Sequence, residues 1–327
     1  NTFGNMPSQQ AILQAVYEGL GLPMDRAGKV ETRQFIRVLQ DPTARSMLRT
    51  LFFSLQDCQK GARRPKDVPR FDVKKVGIIG AGLMGQGIAH VSAKAKIDVV
   101  LIDRDLASAE RGKAAVAKSL DRRLKKGRTT PDRIEAILSR IHPSESYADL
   151  KGCDVVVEAV FENREIKAEV TKAADAQLGN DAIFASNTSG LPITDLAQAS
   201  SRPKNFIGLH FFSPVERMQM VEIVVGKETS DETLAKAWDY ILEIKKAGIV
   251  VNDSPGFYTS RVFGTFISEG NHLLVEGVTP ALIENAARAA GMPMPPLGIS
   301  DMVGLGTMYK LSLIHISEPT RLLVQSR

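Results

Sequence analysis

A histidine that closes one apolar run and a carboxylate inside the next are the residues of this chain best suited to moving a proton. His210 ends Phe206-Ile207-Gly208-Leu209-His210, and Glu222 lies within Met220-Val221-Glu222-Ile223-Val224. A carboxylate held against one ring nitrogen fixes the tautomer, favours the imidazolium and leaves the other nitrogen as a general base near neutral pH. That chemistry takes the proton of an alcohol. Upstream, Gly80-Ala81-Gly82-Leu83-Met84-Gly85 has the spacing of a loop for a dinucleotide pyrophosphate. A proton acceptor and a seat for a hydride acceptor on one polypeptide suggest an alcohol dehydrogenation.

The glycine loop gains meaning from its surroundings. It follows the strand-like run Val76 to Ile79, opens a helical run from Leu83 to Ala95, and precedes Asp103 at the end of a second strand-like run. In that setting Gly80 permits the tight turn, Gly82 lets the pyrophosphate approach backbone amides at the helix N-terminus, and Gly85 lets helix and strand pack closely, with Gly87 extending the small face. Asp103 is placed to accept from the adenosine ribose hydroxyls and to repel a 2′-phosphate, which favours NAD over NADP, although Arg104 sits beside it. Taken alone, His210 could equally be a satisfied core histidine, and Glu222 a surface carboxylate. His90, His142 and His272 have no obvious orienting carboxylate, and no second His or Cys has metal-ligand spacing, so no metal site is expected.

The elements that must position these residues follow from periodicity. From Lys74, short apolar runs (Val76 to Ile79, Val99 to Ile102, Val155 to Val157, Ile183 to Ala185, Phe206 to Leu209) alternate with amphipathic helices. Near-continuous apolar strands between helices predict a doubly wound α/β domain, with a parallel sheet covered on both faces. Before it the pattern is helical: Ile12, Ala15 and Val16 share a face, then Val30, Ile36 and Leu39, then Leu48, Leu51, Phe52 and Leu55 after Pro42. Those faces need a partner. The stretch from Gly61 to Pro69 has the Gly, Pro and charge of an exposed connector and marks a domain boundary. After Asn252 an all-helical segment is expected, opened by Ser254 as N-cap with Pro255 in the first turn, followed by a second helix from Thr279-Pro280 to about Gly291.

Composition bounds the function classes. A chain of 327 residues has room for two domains, and no apolar run approaches the ~20 residues of a membrane span. The start at Asn1 has neither an initiator Met nor a signal-peptide pattern, so an internal piece of a cytoplasmic protein is expected. Cys58 and Cys153 fit free thiols in a reducing compartment. The net charge of +5 is mild. Its densest basic stretch, Arg122 to Arg128, suits a solvated helix end better than a nucleic-acid patch, because no aromatic platform accompanies it. A basic surface also suits an anionic substrate such as an acyl-CoA. The run Leu311 to Arg321 is similar to the conceptual translation of a transposase-type sequencing-library adapter. A non-native tail over residues 311–327 is therefore expected, and His315 and Glu318 receive no functional reading.

Five motifs together resemble the L-3-hydroxyacyl-CoA dehydrogenase family, in order and spacing: the glycine loop, Val157-Glu158-Ala159-Val160-Phe161-Glu162-Asn163, Ala185-Ser186-Asn187-Thr188-Ser189, His210-Phe211-Phe212-Ser213-Pro214-Val215 and Pro255-Gly256-Phe257. The resemblance runs from about Lys74 to Lys310. The segment before it is similar to the end of the enoyl-CoA hydratase part and linker helix of multifunctional fatty acid oxidation α subunits, so the parent would be a fused hydratase and dehydrogenase whose hydratase site lies outside this chain. The resemblance implies a Rossmann-type α/β fold preceded by a helical linker and followed by an incomplete all-helical domain. The expected divisions are residues 1–72 (hydratase remnant and linker), 73–251 (NAD-binding), 252–310 (start of the helical C-terminal domain) and 311–327 (tail).

The resemblance also implies roles. His210 would take the 3-hydroxyl proton while hydride leaves C3 for NAD, Glu222 would pair with it, and Ser189 would stand beside the reacting oxygen and the nicotinamide. Gly80, Gly82, Leu83, Met84, Gly85, Asp103, Val160, Phe161, Glu162, Lys167, Asn187, Ser189 and Ser213 would bind the cofactor, and Ser189 and Ser260 the substrate. Met84 as helix packing, Lys167 as a solvated helix residue and Ser189 as a cap before Pro192 are the plainer readings of those positions. Many members have Asn where this chain has Ser213 and Ser260. A serine keeps a hydroxyl but is shorter and lacks the amide's paired donor and acceptor. A thiolase subunit is the implied partner of the parent complex. The expected substrate is a 3-hydroxyacyl-CoA, with a small hydroxy acid on the same fold, or nucleotide binding without turnover, as the rival readings.

Overall fold

The computed structural model describes residues 2–304. The described residues form two compact units, one of residues 57–260 and the other of residues 2–56 together with 261–304. The tail expected over 311–327 lies outside the described residues.

The chain opens with helices α1 (Pro7–Gly19), α2 (Met24–Gln40) and α3 (Pro42–Met47), a π-helical stretch at Leu48–Ser54 and α4 (Leu55–Gln59). Pro7 and Pro42 occupy first-turn positions, where the missing N–H costs nothing, and Asp41 caps α3 by accepting from the amides of Thr43 and Ala44. The helical reading of this segment holds; most of the apolar residues it picked out, Ile12, Leu39 and Phe52 among them, are exposed, and Ala15, Val30 and Leu55 are half-buried.

The larger unit is built on a sheet of β1 (Lys75–Ile79), β2 (Asp98–Ile102), β3 (Ile141–Ser144), β4 (Val155–Glu158), β5 (Ile183–Ser186), β6 (Phe206–Phe211), β7 (Met220–Val225) and β8 (Ala247–Asn252). Between them run α5 (Leu83–Lys94), α6 (Leu106–Leu124), α7 (Pro131–Leu138), α8 (Arg164–Asp175), α9 (Ile193–Ala197) and α10 (Asp231–Glu243). The sheet order is β3-β2-β1-β4-β5-β6-β7-β8. Every run expected to be a strand is one. Successive residues feed two cores on opposite faces: Val76, Ile78, Leu101 and Val157 on one, Ile79, Val100, Ile102 and Val156 on the other. That alternation is why the strands read as continuous apolar runs.

Three features depart from the sequence reading. The sheet is not parallel throughout, because β6 and β7 pair antiparallel before β8 resumes parallel to β7. The edge strand β3 contains Pro143, which an edge tolerates, and β8 at the other edge has a mixed burial pattern; neither gave a clear strand signal. The connector is also not loose. Arg64 donates to both carboxylate oxygens of Asp239 on α10 at 2.7 and 2.8 Å, and to the carbonyls of Pro65, Val68 and Pro69. Asp239 is buried and also accepts from the Phe71 amide. A buried carboxylate is tolerated when its lone pairs are filled in this way, and the result is a connector folded onto the α/β unit.

Helices α11 (Thr259–Val275), α12 (Pro280–Ala289) and α13 (Pro296–Val303) complete the described chain. The first of them starts later than Ser254-Pro255 suggested. Phe257 has φ +49° and its amide donates to the Ser254 carbonyl, so residues 254–257 form a turn. The second opens at Pro280 after Thr279, as expected, and Gly291 at φ +91° follows its end. A side chain at Gly270 would meet the Pro296 ring at 2.5 Å, which sets α11 close to α13. No helix among the described residues is long and apolar enough to cross a membrane.

Candidate active site

The strand order reverses between β1 and β4, and a doubly wound sheet binds its ligand at the carboxyl ends of the strands on either side of that point. The glycine loop leaves β1 there. Gly80 has φ +100°, and a Cβ on it would lie 2.6 Å from the Ala159 carbonyl oxygen. A Cβ on Gly85 would lie 1.7 Å from the Gly80 carbonyl oxygen. Nothing lies within 4 Å of the side-chain position of Gly82, and α5 has no side-chain cap, so its first amides face an open cradle. These residues fit a dinucleotide pyrophosphate. Leu83 is exposed, and half-buried Met84 packs against the core.

Asp103, just past the end of β2, turns one carboxylate oxygen to the Ala81 amide at 2.7 Å and the other to the Arg104 amide at 2.8 Å. Each oxygen retains a lone pair for a ribose hydroxyl. The Arg104 side chain turns away to Asp105.

Past the reversal, the ends of β4 and β5 hold a charged cluster. Glu158 closes β4 and is 1% exposed; Lys167 of α8 is 2% exposed and places Nζ 2.9 and 3.0 Å from the two Glu158 oxygens. The Ser186 hydroxyl, at the end of β5, donates to Glu158. Burial pushes the Glu158 carboxyl above the usual carboxylate range, opposed by Lys167, Ser186 and the Val160 amide. Glu162 lies 3.4 Å from the same ammonium through Oε2, while its Oε1 accepts from the Thr188 hydroxyl, the Ser189 amide at 3.0 Å and the Ser189 hydroxyl at 3.3 Å. Lys167 is thus a buried, paired cation rather than a solvated helix residue. Val160 is half-buried, and Phe161 is exposed at the lip. Asn187 accepts from the Phe211 amide at 2.8 Å, which ties the end of β5 to β6 next to His210.

His210 and Glu222 meet. They are direct partners in the antiparallel β6–β7 register, and His210 Nδ1 lies 2.6 Å from Glu222 Oε2. Glu222 is fully buried. Its Oε2 also accepts from the Thr259 hydroxyl at 2.9 Å, and its Oε1 accepts from the amides of Thr259 at 2.8 Å and Tyr258 at 3.2 Å. Burial pushes this carboxyl up, but the bonds from His210 and Thr259 outweigh it and leave the group below its ordinary value. With Nδ1 engaged, Nε2 is the nitrogen left for a substrate. The rings of Phe212 and Phe257 stand 4.5 and 5.9 Å from the imidazole, giving it an apolar wall. Ser213 is exposed after Phe212, and Ser260 is half-buried in the first turn of α11.

Glu158 and Thr259 are among the residues of this constellation that had no role in the sequence reading. Glu158 lies within a quoted motif, where a carboxylate ending an apolar strand was a usable signal. Thr259 offered none, since its link to Glu222 spans 37 positions.

Comparison with known proteins gives a consistent result. Residues 75–254 match the family described as 3-hydroxyacyl-CoA dehydrogenase, NAD binding domain, and residues 256–320 match 3-hydroxyacyl-CoA dehydrogenase, C-terminal domain. The fatty acid oxidation complex subunit alpha of Shewanella frigidimarina is 37% identical over 314 residues, covering 96% of this chain and 44% of that protein. The subunit of the same name from Pseudomonas aeruginosa is 36% identical over 303 residues, covering 93% and 42%. The chain therefore spans less than half the length of these relatives. Among solved structures, the (S)-3-hydroxybutyryl-CoA dehydrogenase of Ralstonia eutropha superposes with a TM-score of 0.73 at 40% identity, covering 76% of this chain and 88% of that one. The 3-hydroxybutyryl-CoA dehydrogenase of Escherichia coli K12 also gives 0.73, at 30% identity, covering 76% and 53%.

Proposed function

The chain belongs to the 3-hydroxyacyl-CoA dehydrogenase family, and we propose that it oxidises the 3-hydroxyl of an (S)-3-hydroxyacyl-CoA to the ketone with NAD. The observation that carries this reading is the 2.6 Å contact of His210 Nδ1 with Glu222. Nε2 of His210 accepts the hydroxyl proton, and the imidazolium so formed is stabilised by the buried carboxylate, itself fixed by Thr259 and Tyr258. NAD, when bound, would accept the hydride that leaves C3 of the substrate. Gly80, Gly82, Leu83, Met84, Gly85 and Asp103 would hold its adenosine and pyrophosphate half, and Val160, Phe161, Glu162, Lys167, Asn187, Ser189 and Ser213 would line the other. Ser189 and Ser260 approach the substrate. The apolar wall of Phe212 and Phe257 excludes water from the base.

For the whole protein we propose the pathway role that its relatives' names carry, fatty acid oxidation, with residues 1–72 as a hydratase-part remnant and linker, 73–251 as the NAD-binding domain and 252–310 as the start of the helical domain. A fused hydratase, a thiolase partner and a cytoplasmic location belong to the same proposal. The test is NADH formation from NAD with (S)-3-hydroxybutyryl-CoA against free 3-hydroxybutyrate. Turnover of the thioester alone supports the reading, preference for the free acid replaces it with a small hydroxy-acid dehydrogenase, and NAD binding without turnover of either reduces the chain to a nucleotide-binding module.

A further inference from the structure

We propose that Glu158 is a positioning residue for the nicotinamide half of the cofactor, acting through Lys167 and Glu162 on Ser189. The proposal rests on the NAD reading above. With the adenosine ribose at Asp103, on the β2 side of the glycine loop, the rest of a bound dinucleotide would cross the reversal point toward the ends of β4 and β5, where Glu158 and Ser186 lie. Glu158 is the last residue of β4 and is paired in register with Ser186, the last of β5.

A carboxylate this deeply buried costs several kcal/mol unless it is paired, and a buried ion pair adds little stability over a well-packed apolar pair. Glu158 is compensated by Lys167 Nζ at 2.9 and 3.0 Å, the Ser186 hydroxyl and the Val160 amide at 3.2 Å. What the pair secures is geometry. Lys167 stands between Glu158 behind it and Glu162 in front, whose side chain is partly open to solvent at 37%. Glu162 divides its oxygens, Oε2 toward Lys167 and Oε1 toward Thr188 and Ser189. A continuous run Ser186, Glu158, Lys167, Glu162, Ser189 thus starts at the end of β5 and returns to the loop just beyond it. Without the Glu158 charge, Lys167 has a single carboxylate partner in this run. It then draws Glu162 inward and off Ser189, and the loop facing the nicotinamide half loses its register.

Glu158→Gln keeps the shape and removes the charge. Binding of NAD and of ADP to the full chain, measured by calorimetry, separates positioning from general damage, because ADP fills only the adenosine and pyrophosphate half and needs an intact fold. NAD should weaken about 10-fold, as expected for loss of a charge-assisted interaction, while ADP stays within about twofold. In a Lys167→Met background the same Glu158→Gln change should shift NAD affinity less than about twofold further, because the connection is already cut. Equal weakening of NAD and ADP, unchanged NAD binding in Glu158→Gln, or multiplying effects in the double variant would each overturn the proposal. If the unmodified chain fails to bind NAD while binding ADP, the cofactor reading itself falls, and this inference with it.

Discussion

His210 and Glu222 face each other across the antiparallel strands β6 and β7, joined by a 2.6 Å contact between Nδ1 and Oε2. Direct opposition in a ladder brings two side chains within reach without any loop having to close on them, so the sheet itself aims the imidazole. The carboxylate is then locked from the far side by residues 258 and 259, which leaves it little freedom to follow the imidazole if the ring moves.

Replacing His210 with Gln should lower turnover by about 10²- to 10⁴-fold and leave NAD affinity nearly unchanged, because a positioned base acts in the transition state and not on the cofactor. Steady-state kinetics with NAD binding measured in parallel check this. Near-normal turnover would remove His210 from the chemistry.

Glu222→Gln has two effects. The amide places an NH2 group where the carboxylate accepted donors, leaving buried donors face to face at a cost of about 1–3 kcal/mol in stability. The imidazolium also loses its counter-charge, so turnover falls and the rising limb of the rate-against-pH profile moves toward acid. A thermal midpoint and a pH profile that both match the unmodified protein would show that the pair is inert.

Asp103→Ser should narrow the preference for NAD over NADP by about tenfold or more, since it removes both the ribose acceptors and the charge opposing a 2′-phosphate. The change also frees the Ala81 amide that Asp103 holds at 2.7 Å, so the glycine loop loosens and NAD affinity itself declines. The ratio of kcat/KM for the two cofactors is the measurement. An unmodified protein that uses both equally would contradict the assignment of Asp103.

His90 sets an acid limit on stability. It is buried on α5, and burial pushes its imidazole down to about 4 from 6.5, with Lys94, Arg123 and Lys246 acting in the same direction and Glu216 opposing. Between those values the unfolded chain binds the proton and the folded chain does not. The stability is therefore fully present above pH 6.5 and is lost as pH falls toward 4, on the order of 3 kcal/mol in all. Thermal midpoints across that window should fall steeply for the unmodified protein and more shallowly for His90→Gln. Identical slopes would place the acid sensitivity elsewhere.

Much of this protein was legible from sequence because the features concerned are local. Glycines at fixed spacing after an apolar run, and an aspartate at the end of the next, encode a strand, a turn and a helix start through backbone sterics alone, and β1, α5 and β2 formed where that spacing put them. The residue types of His210 and Glu222 suggested a proton-transfer pair in the same way, and the structure brings the two side chains into contact. Other features depend on distant parts of the chain meeting. The reversal of β7, the addition of β8 on its outer side and the clamp on Glu222 by residues 258 and 259 fix which nitrogen of the imidazole is engaged, and no periodicity within β6 contains that information. Lys167 reads as an ordinary surface residue of an amphipathic helix until α8 docks on β4 and closes it over Glu158. Arg64 reads as part of a charged connector until α10 brings Asp239 beneath it, 175 positions away. Spacing determines what the backbone can do over a few residues. Which charges end up without water, and therefore must find each other, is decided only when the sheet and its helices pack.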